Sequence, residues 1–362
     1  MVRYIDQLAD GMSASGQEPR KHHLVPRFYL NRWAEDGKVR VTDLDKKRSF
    51  TPSPENAARR TDFYRLEDGT FQSGSPVAWE AFLSVLEGRV SVTTDALVDG
   101  SSTFDDLSIL ERDELVWFLA TQHTRGMSFR RGLMWHVVQG HLVGYELNGE
   151  NALRTRLADA GHEISAENVA RIRDQLDAMC IDPQRLPMLT AMKVQQSADT
   201  AKKIYPYLAA RLPVIYRTPR RLLTCDEPVV ALDEDMSASV GQFGVKNAPV
   251  IAYPLAPDMV LALFRRDFPV RLGAYECLTF DEVMALNQCI MGNSYMYGFE
   301  LPSKQLTTAL YVPPMQLNGE RVTVSHGRKG EEIQRLTPPG RRWRGQPQAP
   351  FRPVARWWAS SL

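Results

Sequence analysis

Hydrophobic and polar positions recur along this chain with two different periods, and the changes between them mark out its elements. Residues 1 to 19 end in a Gly/Ser/Glu/Pro cluster with little to pack and read as a flexible leader. "KHHLVPRFYLNRWA" (21–34) then reads as an extended segment followed by a short helix entered at Pro26, where the missing N–H costs nothing. Phe28, Leu30 and Trp33 are its expected buried side chains. "KVRVTDL" alternates as a strand, "TPSPENAARR" begins as a loop, and "DFYRLEDGTF" carries an Asp-Gly turn between short apolar runs.

The period then lengthens. After Ser75-Pro76, the spacing of Trp79, Phe82, Leu83, Leu86 and Val90 predicts one buried helical face. Ser108 and Glu111 form a capping box for a second helix carrying Leu115, Val116, Phe118 and Leu119, and "QHTRGMSFRR" interrupts before "LMWHVVQGHLVGYEL" resumes. Helices near 166–180 and 187–210 follow, the first opened by Ser165. From Pro213 the pattern shifts to short β-type runs, "VIYR", "LLTC", "VVAL", "VIAYPL" and "MVLALF", and Thr279 with Glu282 caps one more helix, "FDEVMALNQCIMGN". The predicted class is α+β: a β-rich N-terminal element, a helical middle and a β-containing C-terminal half closing around one polar site. Residues 20 to 326 read as one elaborated domain, with lobes at 20–212 and 213–326 as a finer division.

Composition changes this picture in three places. The segment 328–358 holds eight basic and two acidic residues, five prolines and three tryptophans. Residues 327 to 362 therefore read as a basic tail that cannot build a core. It is either a nucleic-acid or partner contact or an extended strap laid against the body. Over the whole chain 44 Lys and Arg oppose 43 Asp and Glu, a net charge of +1, so any attraction to nucleic acid or a nucleotide has to be local. The four cysteines form no CxxC pair and lie in apolar-looking segments, which predicts buried, reduced thiols in a cytoplasmic protein. No segment has transmembrane length, and the sequence leaves the oligomeric state open.

Four segments place polar residues among apolar ones: His22-His23, Asn56 in "PENAA", Gln122 and Arg125 in "TQHTR", and Asp226 in "LLTCDEPVVAL". Gln122 and Arg125 are three apart and share a helix face, and an arginine there needs a carboxylate or an anionic ligand, since burying it alone is prohibitive. Asp226 reads either as a turn residue capping backbone N–H groups or as a carboxylate that pairs with Arg125, orients a histidine or ligates a metal. Adjacent residues of a strand face opposite ways, so one histidine at most addresses a given pocket; His23 is preferred to His22 as a general base, with an Asn, Asp or backbone carbonyl fixing its tautomer. Both histidines serving as hydrogen-bonded anchors is the competing reading. His136 and His141 are five apart and miss the spacing of a helical metal pair, and no Walker loop, GxGxxG or GxSxG occurs.

In order and wording, "HHLVPRFYLNRWA", "SPENAARRTDFY", "TQHTRG", "LLTCDEPVV", "YPLAPDMVLAL" and "LNQCIMGNSYMYGF" resemble a large, mainly bacterial family, domain-of-unknown-function family 4238. Cys225 stands where that family commonly has Ser, and the resemblance implies no activity. "HHLVP" followed by a loop and Asn56 is also similar to the opening of His–metal finger nucleases, in which a strand histidine activates water and an Asn orients it. The His-to-Asn gap is longer here, and no second metal-binding residue follows on the next helix.

The function expected from these readings is hydrolysis of a phosphate-containing substrate, in the manner of a nuclease-like effector in bacterial defence. His23 or His22 would be the base, Asp226 and Asn56 its supports, Gln122 and Arg125 the phosphate clamp, and a divalent metal an open option. The alternative is a non-enzymatic sensor or binder of a nucleotide or other anion. A third reading makes the same residues a buried hydrogen-bond network.

Overall fold

The apolar residues after the histidine pair dictate how the N-terminus enters the fold. In the computed structural model, which describes residues 21–61, 78–133, 149–159, 161–181, 187–232, 244–268, 277–312, 315, 321–326 and 331–336, Lys21–His23 forms strand β1. One-turn helix α1 (Arg27–Leu30) follows and tightens into a 3-10 turn over Asn31–Trp33. Pro26 takes the N-cap, with φ −57° and ψ 142°, one place before the first helical position expected for it. Leu30 and Trp33 are buried as expected, but Tyr29 rather than Phe28 completes the inner face. The Tyr29 hydroxyl lies 2.6 Å from Thr224 Oγ1, and the Trp33 indole N–H donates to Leu222 O at 3.1 Å. Phe28 is half-buried and packs against Phe118, ring centroids 5.7 Å apart.

Strands β2 (Ala34–Glu35) and β3 (Lys38–Asp43) are joined by Asp36-Gly37, both at positive φ (50° and 69°), the left-handed pair that a two-residue hairpin turn requires. β4 (Arg48–Phe50) pairs with β3, and β5 (Arg59–Thr61) pairs antiparallel with β1, setting His23 opposite Arg59.

The helical middle comprises α2 (Ala78–Asp99), α3 (Ile109–Thr124), α4 (Glu150–Asp159), α5 (Ala166–Ile181) and α6 (Pro187–Ala209). The Ser108/Glu111 capping box is formed, and Leu115, Val116, Phe118 and Leu119 are buried on α3. On α2, Leu83, Leu86 and Val90 are buried and Phe82 is half-buried. The turn in "DFYRLEDGTF", Ser75-Pro76, the Trp79 side chain and most of "LMWHVVQGHLVGYEL" lie outside the described residues. Helix α4 was not expected: "ENALRTRLAD" is mostly polar, and only Leu153 and Leu157 bury, against Val169 of α5.

The β-type runs beyond residue 212 become β6 (Leu212–Arg217), β7 (Thr224–Cys225), β8 (Val230–Leu232), β9 (Val250–Ala256) and β10 (Met259–Phe264), with a one-turn helix α7 (Gly244–Asn247) before β9. The antiparallel order β6-β10-β9-β8 forms one sheet, and every residue of β9 and β10 is buried because both faces are covered. Ile251, Tyr253, Leu255, Leu261 and Leu263 face the core shared with α1 and α3. Val250, Ala252, Val260, Ala262 and Phe264 face the other, against α8 (Phe280–Asn293). Thr279 and Glu282 cap α8 as expected.

An unexpected strand, β11 (Tyr297–Glu300), pairs with both β3 and β7, so a second sheet, β2-β3-β11-β7, ties the N-terminal hairpin to the C-terminal half. A last hairpin, β12 (Arg321–His326) with β13 (Glu331–Leu336), takes the first part of the segment read as tail into strand pairing. The α+β architecture follows the pattern of the sequence. One expectation needs correction: Cys225 and Cys289 are buried thiols, but Cys277 is exposed, at a bridge to Arg217 of the edge strand β6. The Cys180 side chain lies outside the described residues. Among the described residues, no helix is long and apolar enough to cross a membrane.

Candidate functional site

The β1–β5 pairing places His23 over the turn 53–58, and that turn supplies most of its partners. Ala57 N and Asn56 N both donate to Ser53 O, which fixes the backbone of the turn. His23 Nε2 lies 2.9 Å from Glu55 O and 3.1 Å from Arg59 Nε. Glu55 O can only accept and Arg59 Nε–H can only donate, so one ring nitrogen cannot satisfy both. The carbonyl contact is the shorter, and the carbonyl is fixed by the turn. The guanidinium is held without the ring, by Nη1 to Asn56 Oδ1 at 3.3 Å and Nη2 to Glu55 Oε1 at 3.3 Å. We therefore assign the proton to Nε2, donated to Glu55 O, which leaves Nδ1 with the lone pair.

Burial holds the His23 imidazole below its ordinary pKa. The hydrogen bond to Glu55 O raises it, the Arg59 cation lowers it, Glu87 raises it, and Arg125 lowers it further. These contributions place Glu87 and Arg125 within electrostatic reach of the ring. Arg125 caps the C-terminal end of α3, is 2% exposed, and donates from Nη1 to Glu87 Oε1 of α2 at 2.6 Å. Gln122, one turn earlier on α3, donates from Nε2 to Leu24 O at 3.4 Å, beside His23 in the chain. Its Oε1 is buried and has no hydrogen-bond partner among the described residues. Asn56 donates to Ser53 Oγ at 3.0 Å and accepts from Arg59, so it steadies the turn and the arginine rather than the ring. The His22 side chain lies outside the described residues; its backbone stands opposite Arg60.

Asp226 sits elsewhere in this geometry. Its Oδ1 accepts from the Ser294 hydroxyl (2.9 Å) and Tyr295 N–H (2.9 Å), and its Oδ2 from Met296 N–H (2.8 Å), so it caps the turn between α8 and β11. Complete burial pushes its carboxyl above the ordinary carboxylate range, against the pull of those donors. This is the turn-capping alternative realised. The carboxylate that meets Arg125 is Glu87, about forty positions upstream, and a linear reading held no sign of it.

The two segments "TQHTRG" and "LLTCDEPVV" do meet, but through neighbours of the expected pair. Glu227 Oε1 accepts from Ser128 N–H at 2.6 Å and lies over Gly126, where an added Cβ would come within 2.8 Å of its carboxyl. Arg59, Glu55, Glu87 and Glu227 are the site residues that the sequence reading missed. The (i, i+3) spacing of Asn56 and Arg59 was an available signal for one of them.

His23 thus combines an Nε2 held against the Glu55 carbonyl, an Nδ1 with no hydrogen-bond partner among the described residues and two guanidinium groups nearby. Among the described residues no three His, Cys, Asp or Glu side chains come together as a metal-binding group. A family model described as a protein of unknown function, DUF4238, matches residues 21–302. No curated protein matches the chain, and no solved structure does.

Proposed function

This chain belongs to the DUF4238 family, described as proteins of unknown function, and we propose from the geometry of its site that it is a cytoplasmic hydrolase of a phosphate-containing substrate with His23 as general base. The observation that carries this reading is the contact of His23 Nε2 with the Glu55 carbonyl, 2.9 Å. With the proton there, Nδ1, which has no hydrogen-bond partner among the described residues, takes a proton from water, and the lowered pKa keeps the ring in the neutral form that can accept it. Arg59 supplies a partly exposed cation for a substrate phosphoryl oxygen, while the buried Arg125 acts through its field. The ion pairs Arg59–Glu55 and Arg125–Glu87 hold these cations in place.

A specific observation also favours the network reading. Arg125 is already paired with Glu87, and Gln122 already holds the Leu24 carbonyl. Both contacts tie the N-terminal segment and α2 to α3 whether or not a substrate ever binds.

The test incubates the purified protein with plasmid, single-stranded DNA, RNA and nucleotides, with and without Mg²⁺, Mn²⁺ or Zn²⁺, beside His23→Ala. The proposal expects cleavage of one class and a loss of about 10²–10⁴ in rate for the variant at an unchanged melting temperature. Saturable binding without turnover would replace hydrolase by sensor. Loss of stability in proportion to loss of activity would make His23 an anchor of the network.

A further inference from the structure

A second surface stands apart from His23, at the connected ends of α2 and α3. Arg89 Nη1 of α2 and Glu114 Oε1 of α3 are 2.6 Å apart, which sets the register of the two packed helices across their short connection. One turn nearer the connection lie Val92 on α2 and Leu110 on α3, 70% and 61% exposed, followed by Ile109 at 88%. Single exposed apolar residues are ordinary, but Ile109 and Leu110 open α3 in succession and Val92 stands two turns before the end of α2, so the connected ends carry apolar surface that a partner could cover.

The charge around this tip selects the partner. From Val92 to Glu114 the sequence holds seven carboxylates and one arginine; Arg32 pairs with Asp95, Arg89 with Glu114 and Arg112 with Asp105, which leaves Asp99, Asp106, Glu111 and Asp113 without a cation among the described residues. Asp99, Asp106 and Glu111 are engaged by Ser101, Thr103 and Ser108 hydroxyl or N–H groups rather than by cations. Their negative charge is stabilised locally but not cancelled. The complementary chemistry is an arginine-rich, aromatic segment without acids. Residues 337 to 362 of this chain hold five arginines, three tryptophans and a phenylalanine, and no Asp or Glu.

We propose that residues 337–362, outside the described residues, dock across the α2/α3 tip of their own chain. Their indoles cover Val92, Ile109 and Leu110, and their arginines lie among the surrounding carboxylates. Reach is no obstacle: the segment leaves from Leu336 of β13, and an extended chain covers roughly 3.3 Å per residue, enough to cross a domain of this size. The proline content shortens the list of conformations that docking must freeze.

Limited trypsin digestion of the full chain tests this, because the arginines of the segment are themselves the cleavage sites. Docking predicts slow cleavage there in the parent and faster cleavage in 1 M NaCl, where the charge complement is screened. It predicts about tenfold faster cleavage in Ile109→Ser/Leu110→Ser, with sites elsewhere unchanged. Trp343→Ala/Trp357→Ala/Trp358→Ala, which leaves the tip untouched, should give the same acceleration, and combining both sets should add nothing further. Equal rates in parent and variants would overturn the proposal. So would protection that grows with protein concentration, which means a second copy, or protection that appears only when nucleic acid is added.

Discussion

Asp226 and His23 are both polar groups set where distant segments meet, and the fold treats them in opposite ways. Asp226 receives a hydroxyl and two backbone N–H groups, each from the rigid turn between α8 and β11, so both its oxygens are engaged. His23 has one ring nitrogen between a carbonyl and a guanidinium that it cannot serve together, and a second nitrogen free of that conflict. A saturated buried group holds structure. A group with a spare lone pair and a nearby cation can still do chemistry.

The largest effect that could break this contrast is at Asp226. Asp226→Ala removes the acceptor that Tyr295 N–H and Met296 N–H share, and one of the two acceptors of the Ser294 hydroxyl, which keeps Tyr297 O at 3.1 Å; the loss should cost about 3–5 kcal/mol in urea unfolding. A variant that stayed stable but lost activity would move Asp226 into the site. Next is Gly126→Ala, whose Cβ would press on the Glu227 carboxyl and disturb its bond to Ser128 N–H. A cost of about 1–3 kcal/mol is expected, read as a lower urea midpoint at constant slope.

The smallest effect separates the two groups by sign. The His23 pKa is lowered in the folded chain, so as pH falls below about 6.5 the unfolded chain takes up the proton first and stability falls. The Asp226 pKa is raised, so as pH rises above about 3.9 the unfolded chain loses its proton first and stability again falls. In urea titrations across pH the two groups therefore contribute slopes of opposite sign, each read as the difference between the parent and the variant that lacks the group. His23→Gln should remove its share of the upper slope, and Asp226→Asn its share of the lower one. An unchanged upper slope in His23→Gln would mean that the imidazole titrates alike in both states.

Local features were the legible part of this fold. Capping boxes at Ser108 and Thr279, the alternation of "KVRVTDL" and the spacing on α3 are written in neighbouring residues, and the structure realises each one. Strand β11 escaped because "YGFE" is short and carries Gly298, whose bare Cα admits the Met291 side chain; a Cβ there would meet Met291 Cε at 2.8 Å. Tyr29 was passed over for Phe28 because the sequence does not show that Thr224, almost two hundred residues away, would receive its hydroxyl. The site followed the same rule. His23, Gln122 and Arg125 stand out as polar residues among apolar ones, but Glu87 and Arg59 become visible only once α2 packs on α3 and β5 pairs with β1.

The central claim is that His23 presents a neutral ring with its proton on Nε2 and a basic Nδ1. Nitrogen NMR of the ¹⁵N-histidine-labelled protein, with the His23 signals assigned by difference from His23→Gln, reads this directly. The account predicts the Nε2–H tautomer at pH 7, titrating below the ordinary histidine value. An Nδ1–H tautomer, with Nε2 accepting from Arg59, or a ring already protonated at pH 7, would leave no base and would contradict it.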